Sequence, residues 1–161
     1  MNWQEVKTEF QWDGSWRDIY VLDAGLPAWQ KLLDFLHSSP YQVLYTDKGE
    51  ATPLPEKAAQ VFGGRDSVLS YLGVRVGGLL FNCHFFTDEE IEFDLDPREV
   101  KGQDTLDAVL TFMRGIGQAV GKRVTLTPES LVVVLLARYA SETGGSLLCP
   151  QPLDLESIGL G

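Results

Sequence analysis

The amino-acid sequence predicts an α+β fold in which two main helices pack on one face of a mostly antiparallel sheet. Short runs rich in β-branched and aromatic residues outnumber the helical patterns. Turn dipeptides, Asp13-Gly14 and Gly77-Gly78, separate two pairs of these runs. Two longer segments, 27–38 and 104–121, instead repeat apolar residues at helical spacing.

The amino-terminal third begins with strand-like residues. Segments 6–12 and 16–22 flank Asp13-Gly14 and predict a β-hairpin. The helix at 27–38 has apolar residues at i, i+3, i+4 and i+7: Trp29, Leu32, Leu33, Leu36. A strand at 41–45 and a short helix at 55–62 follow.

The middle of the chain is its most strand-like part. Segments 69–76 and 79–86 flank Gly77-Gly78, and segment 90–96 follows closely. Because the connections are short, the three segments predict an antiparallel meander. Pro97 ends its last strand, since proline supplies no backbone donor.

The carboxy-terminal third predicts one long helix and further strands. Asp104 is a suitable N-cap for this helix and Gly121 a suitable stop. A strand at 124–127 follows, and segment 131–139 fits either a strand or a helix, with a strand favoured by its β-branched start. At 161 residues, the chain predicts a single α+β domain over 1–148 and a carboxy-terminal extension over 149–161.

The charge is strongly acidic and localised. Thirteen lysines and arginines stand against 23 acidic residues, which gives a net charge of −10. Residues 86–107 contain nine acids and two bases. This balance excludes nucleic acid as a predicted ligand, because phosphate binding needs a basic surface. A focused acidic field instead favours a basic partner, although a merely solvated face is the simpler alternative.

The acidic strand at 90–96 is the most informative segment. Alternation directs Ile91, Phe93 and Leu95 to one side and the acids to the other. We expect a ladder of four carboxylates along one edge of the molecule, with two more acids at its end. The predicted partner-binding residues are Asp88, Glu89, Glu90, Glu92, Asp94 and Asp96.

Chemical roles for this region find little support in the sequence. A metal cage needs convergent ligands, whereas side chains along a flat strand diverge. Acid–base catalysis needs two carboxylates across a cleft, which a sequence with 23 acids does not specify. Cys83 and His84 are adjacent on a strand, so they face opposite sides and form no nucleophile–base pair. We therefore predict no catalytic residue, metal or cofactor.

The composition also indicates the cellular compartment of the protein. Two cysteines form no disulfide framework, and Cys83 lies in an apolar run typical of a buried position. The first residues contain no apolar signal segment, and the longest apolar run is too short for a bilayer. We expect a cytoplasmic protein with no membrane contact.

Three segments of the chain are similar to segments of known proteins: 16–33, 90–100 and 112–129. They include Trp16-Arg-Asp-Ile-Tyr, Glu90-Ile-Glu-Phe-Asp and Phe112-Met-Arg-Gly-Ile-Gly. These segments resemble small bacterial proteins, some of which are immunity proteins that neutralise toxins. The resemblance implies a toxin-neutralising binder and transfers no residue role.

The sequence thus predicts a non-enzymatic acidic protein that binds a basic partner, such as a bacterial toxin. One alternative is an assembly domain that forms a homodimer through a sheet edge or through the strand at 131–136. The other alternative is a hydrolase whose carboxylate site the sequence does not reveal.

Overall fold

A computed structural model describes residues 1–63 and 69–128, together with the backbone of residues 137–139. The fold is α+β, as predicted. The helices are α1 (Trp3–Val6), α2 (Gly25–Ser38), α3 (Ala58–Phe62) and α4 (Gln103–Val120). The strands are β1 (Arg17–Val21), β2 (Gln42–Asp47), β3 (Glu50–Thr52), β4 (Tyr71–Val76), β5 (Leu79–His84), β6 (Ile91–Leu95), β7 (Val124–Pro128) and β8 (Ala137–Tyr139).

Over the described residues, the strands form one eight-stranded sheet in the order β3-β2-β4-β5-β6-β1-β7-β8. Every neighbouring pair is antiparallel. The predicted meander is confirmed as β4, β5 and β6. Its first turn places Gly77 at φ 57° and Gly78 at φ 88°, the positive values that a two-residue hairpin requires.

The core lies between one face of the sheet and the two long helices. Trp29 and Leu32 of α2 and Phe112 and Ile116 of α4 are all completely buried. The two helices pack so closely that a Cβ on Gly115 would lie 2.7 Å from the Phe35 ring. The helix–sheet arrangement expected from the apolar periodicities is therefore confirmed.

The predicted amino-terminal hairpin is wrong. Residues 3–6 form α1 and residues 7–10 form a 3₁₀ turn. The Asn2 side chain caps α1 by accepting a 2.9 Å hydrogen bond from the Gln4 amide. Val6 and Phe10, four residues apart, both bury against the core. In addition, β1 already pairs with β6 on one side and β7 on the other, so neither edge is available to a hairpin partner.

A buried arginine holds this amino-terminal segment in place. Arg17 at the start of β1 is 2% exposed. Its Nε donates to the Glu9 carbonyl at 2.6 Å and its Nη2 to the Gln11 carbonyl at 2.9 Å. Both terminal nitrogens also contact the Asp13 carboxylate at 3.2 Å. The guanidinium thus replaces the strand pairing that the predicted hairpin would have provided.

Two further predictions, the extension at 149–161 and the strand at 131–136 with its dimer edge, lie outside the described residues. Of segment 131–139, the backbone of Ala137–Tyr139 is described, and it pairs with β7 as β8.

Candidate binding groove on the polar face

The sheet face turned away from α2 and α4 is rich in polar side chains, and we call it the polar face. Its polar residues include Asp18, Tyr20, Gln42, Thr46, Tyr71, Arg75, Asn82, His84, Glu92, Asp94, Thr125 and Thr127. They alternate along the strands with core residues such as Phe81 and Phe93, which are completely buried.

A groove of about 520 Å³ runs across the middle of the polar face. It is lined by Trp16, Asp18, Tyr71, Asn82, His84, Phe86, Glu92 and Asp94. These described residues include three carboxylates and neither lysine nor arginine. The groove therefore presents negative charge and aromatic surface together.

The predicted acidic strand lies at the bottom of this groove and not at an edge of the molecule. β6 pairs with β5 on one side and with β1 on the other, so it is an interior strand. The local alternation was predicted correctly, since Ile91, Phe93 and Leu95 are completely buried. Its position in the sheet was not predicted, because strand order depends on pairings between distant segments.

Strand pairing brings a third acid to the groove, beside Glu92 and Asp94 of β6. Asp18 of β1 stands directly opposite Asp94 of β6. Asp18 is 3% exposed, and Asp94 is half-buried. The register therefore gathers three carboxylates, those of Asp18, Glu92 and Asp94, on one part of the polar face.

Hydrogen bonds connect the groove side chains. The Tyr20 hydroxyl donates to Glu92 Oε1 at 2.9 Å and lies 3.4 Å from Asp18 Oδ2. On the other side of β6, the Tyr71 hydroxyl donates to Asn82 Oδ1 at 2.7 Å. Asn82 Nδ2 then donates to Asp94 Oδ1 at 2.8 Å. Since a carboxylate only accepts, this chain fixes the orientation of the Asn82 amide.

The environment of Glu92 disfavours its charge. Partial burial raises the pKa of the Glu92 carboxyl, and the charges of Glu90 and Asp94 raise it further. The hydrogen bond from Tyr20 opposes this change only in part. Burial and the neighbouring carboxylates also raise the pKa of the Tyr20 hydroxyl, which stays protonated as a donor.

Aromatic rings form one wall of the groove. The rings of His84 and Phe86 stack with centroids 5.3 Å apart and planes at 18°. The Tyr71 ring also packs against His84, with ring centroids 5.5 Å apart. Phe86 remains 61% exposed. A flat apolar surface therefore lies next to the carboxylates.

The six predicted contact residues separate into different environments. Glu92 and Asp94 line the groove. Asp96 pairs with Arg98 at 2.7 Å, and this guanidinium lies 4.1 Å from the Trp12 ring centre. The pKa of Asp96 is lowered by its hydrogen bonds to Arg98.

The remaining three predicted acids lie before β6. The backbone carbonyls of Asp88 and Glu89 accept hydrogen bonds from Gly25 and Ala24 at the start of α2. The side chain of Glu89 is exposed, whereas that of Asp88 is partly buried. Glu90 is partly buried and precedes the strand. The ladder is therefore not one uniform contact row.

The sequence did not predict the groove residues outside the acidic strand: Trp16, Asp18, Tyr71, Asn82, His84 and Phe86. A signal was present in β1, where Asp18 and Tyr20 alternate with Arg17, Ile19 and Val21. This alternation indicates a polar side but does not identify which strand lies beside it.

Cys83 and His84 lie on opposite faces of β5, as predicted. Cys83 is completely buried, and this burial raises the pKa of its thiol well above the ordinary value. Within the described part of the chain, no group of three or more histidine, cysteine, aspartate or glutamate side chains is arranged to hold a metal ion.

None of the helices in the described ranges combines the length and apolar character needed to cross a bilayer. Comparisons of the chain with protein-family models, with curated proteins and with solved structures gave no match.

Proposed function

We propose that this chain is a non-enzymatic binding protein that docks its polar face onto a basic protein partner. The observation that carries the proposal is the groove, in which three carboxylates and exposed aromatic surface converge on one face. Interfaces gain association rate and specificity from complementary charge, and affinity from a few aromatic anchors.

The position of the acids favours binding over simple solvation. A solvated acidic face needs no burial, yet Glu92 is half-buried and burial raises the pKa of its carboxyl. Residues that oppose folding are commonly retained where function requires them. A partner that brings positive charge would favour the charged form of Glu92.

The specific form of the proposal is an immunity protein that neutralises a basic bacterial toxin in the cytoplasm. It rests on the sequence resemblance of segments 16–33, 90–100 and 112–129 and on the acidic groove. A toxin with a basic cleft would offer the complementary charge, and covering that cleft would exclude its substrate.

Capture from a lysate of the native cell tests the proposal. Tagged protein is used as bait at low and high salt, in parallel with the double variant E92Q/D94N. The double variant E50Q/E56Q removes the same charge from exposed positions on β3 and before α3 and serves as the control. We expect a basic protein that the wild type and the control retain at low salt and the groove variant loses.

A partner that all three proteins retain equally at both salt concentrations would contradict the proposal. If the groove variant retained the partner at high salt, the interface would lie on a surface of the molecule outside the groove.

One observation favours a second candidate, a hydrolase that uses the groove carboxylates. The raised pKa of Glu92 beside Asp94 is the arrangement expected of a general acid next to an ionised carboxylate. A panel of aryl glycosides and esters tests this candidate. Turnover that E92Q abolishes would support it, and absence of turnover by the wild type over the panel would reject it.

A further inference from the structure

Exposed apolar side chains concentrate at one end of the sheet. Seven large hydrophobic residues are clearly exposed among the described residues, with exposed fractions of 37% to 61%. Four of the seven lie at this one end: Leu22, Leu26, Leu69 and Phe86. We call these four residues the apolar end.

The strand register places the four residues together. β6 is antiparallel to both β1 and β5, so β1 and β5 finish at the same end of the sheet. Leu22 directly follows β1, and Phe86 lies two residues after β5. Leu69 precedes β4, whose first residue Tyr71 pairs with His84 at the end of β5.

The start of α2 adds Leu26 to this end. The Ala24 amide donates to the Glu89 carbonyl at 2.6 Å, and the Gly25 amide donates to the Asp88 carbonyl at 2.8 Å. These bonds join the first turn of α2 to the connection between β5 and β6. Single exposed apolar residues are ordinary, whereas a concentration of them marks a contact surface.

The chain leaves β8 at the same end. Val124, the first residue of β7, pairs with Tyr139, the last residue of β8. In the pairing of β1 with β7, Tyr20 stands opposite Thr125, so β8 finishes where β1 finishes. Residues 140–161, which lie outside the described structure, therefore begin beside the apolar end.

This segment has the length and the composition to reach and cover the apolar end. From β8 to β5 is four strand spacings, roughly 19 Å. The eight residues from Tyr139 to Leu147 span up to about 26 Å when extended. Beyond them the segment contains six aliphatic side chains and no lysine, arginine or histidine: Leu147, Leu148, Leu153, Leu155, Ile158 and Leu160.

We propose that residues 147–160 of the same chain pack on the apolar end. The two acids of this stretch, Asp154 and Glu156, alternate with Leu153 and Leu155. In an extended stretch, this alternation directs the leucines to the sheet and the acids to solvent. Because Phe86 also lines the groove, the packed segment covers that wall of it. The contact goes beyond the proposed function and does not depend on a partner.

A natural cysteine makes the test possible on the full chain. Of the two cysteines, Cys83 is completely buried, so a thiol-specific nitroxide attaches to Cys149 of the folded protein. The unpaired electron broadens the NMR signals of nearby amides. We expect the strongest broadening at the four residues of the apolar end. Signals of Gly77 and Gly78, at the opposite end of β4 and β5, should keep their intensity.

Variants of the segment separate apolar packing from charge. L153S/L155S should reduce the paramagnetic relaxation at the apolar end by about threefold or more, because the apolar surface buried in the contact is lost. D154S/E156S changes the alternate positions of the same stretch and should keep the broadening.

A second pair of variants changes the surface that receives the segment. Phe86 and Leu44 are 61% and 51% exposed, so either residue can be replaced without opening the core. F86S should reduce the relaxation at Leu22 and Leu26, and L44S, on β2 away from the apolar end, should leave it unchanged.

A mixed sample identifies the source of the broadening. Spin-labelled chains without ¹⁵N are added to ¹⁵N-labelled chains without the nitroxide, so broadening then reports contact between two molecules. Broadening at the apolar end in this sample would overturn the proposal in favour of a second copy. Broadening spread evenly over the surface, centred elsewhere, or unaffected by L153S/L155S would also overturn it.

Discussion

Among the individual residues, Glu92 is the one whose negative charge most clearly destabilises the fold while its side chain lines the candidate binding groove. It is half-buried next to Asp94, and burial raises the pKa of its carboxyl above the ordinary value of 4.5. Between pH 4.5 and the raised value, the folded chain binds a proton that the unfolded chain has released. The contribution of this group to stability is therefore present at low pH and is lost as the pH rises through the folded pKa.

The variant E92Q should consequently be more stable than the wild type at pH 7, by at most about 1 kcal/mol because water screens a half-buried charge. The gain should disappear near pH 4, where the wild-type carboxyl is itself protonated. Urea unfolding at the two pH values measures this difference, with the exposed E50Q as the control. A loss of stability in E92Q at pH 7 would show that the carboxylate stabilises the fold.

Arg17 has the opposite role, since its charge stabilises the fold. Its guanidinium is buried and donates to the carbonyls of Glu9 and Gln11. R17A should lower the free energy of unfolding by about 2–4 kcal/mol, because it leaves these acceptors without donors. The exposed R98A variant should lose much less. Equal losses for both variants in urea titrations would contradict the structural role of Arg17.

At the element scale, β4 positions a groove residue through a glycine. A Cβ on Gly73 would lie 2.8 Å from the Tyr71 hydroxyl oxygen. The absence of a side chain at position 73 therefore leaves the space that the Tyr71 ring occupies. G73A should displace the Tyr71 hydroxyl from Asn82. The loss of that hydrogen bond, about 1 kcal/mol, should weaken binding of the captured basic partner about fivefold without a change in charge.

Titration of G73A with the captured basic partner measures this effect, and the charge-neutral substitution A51G on the exposed strand β3 is its control. Unchanged affinity in G73A would mean that the Tyr71–Asn82–Asp94 chain does not shape the groove.

Elements with local signals were predictable and those that depend on distant pairing were not. The glycine pair 77–78 and the alternation in β6 are visible within a few residues, and both were predicted correctly. The partnership of Asp18 with Asp94 joins positions 76 residues apart, and no local pattern specifies it. The amino-terminal hairpin failed for the same reason, because β1 obtains its neighbours from β6 and β7.

The candidate site shows the same division. Glu92 and Asp94, which line the groove, were predicted as contact residues from their spacing on one strand. It placed Asp96 in the same contact row, although Arg98 two residues later forms an ion pair with it. The aromatic wall was not predicted, because Tyr71 and Phe86 meet His84 only through the β4–β5 hairpin and the turn that follows.

At the scale of the whole molecule, the net charge of −10 is focused on the region that contains β6. Such a field attracts a basic partner over distances of roughly the Debye length, about 10 Å at 0.1 M salt. Association should therefore be fast at low ionic strength and slow steeply as salt is added. Charges remote from the groove contribute to this steering but not to the short-range contacts.

Docking of the polar face onto a basic partner is tested most directly by the association rate of a captured partner, measured by stopped flow from low to high ionic strength. We compare the wild type with E92Q/D94N and with E50Q/E56Q, which carry equal net charge. We predict that the groove variant associates about tenfold or more slowly than the control at low salt and dissociates faster. Indistinguishable rates for the two variants would show that the partner responds to overall charge alone and would contradict docking through the polar face.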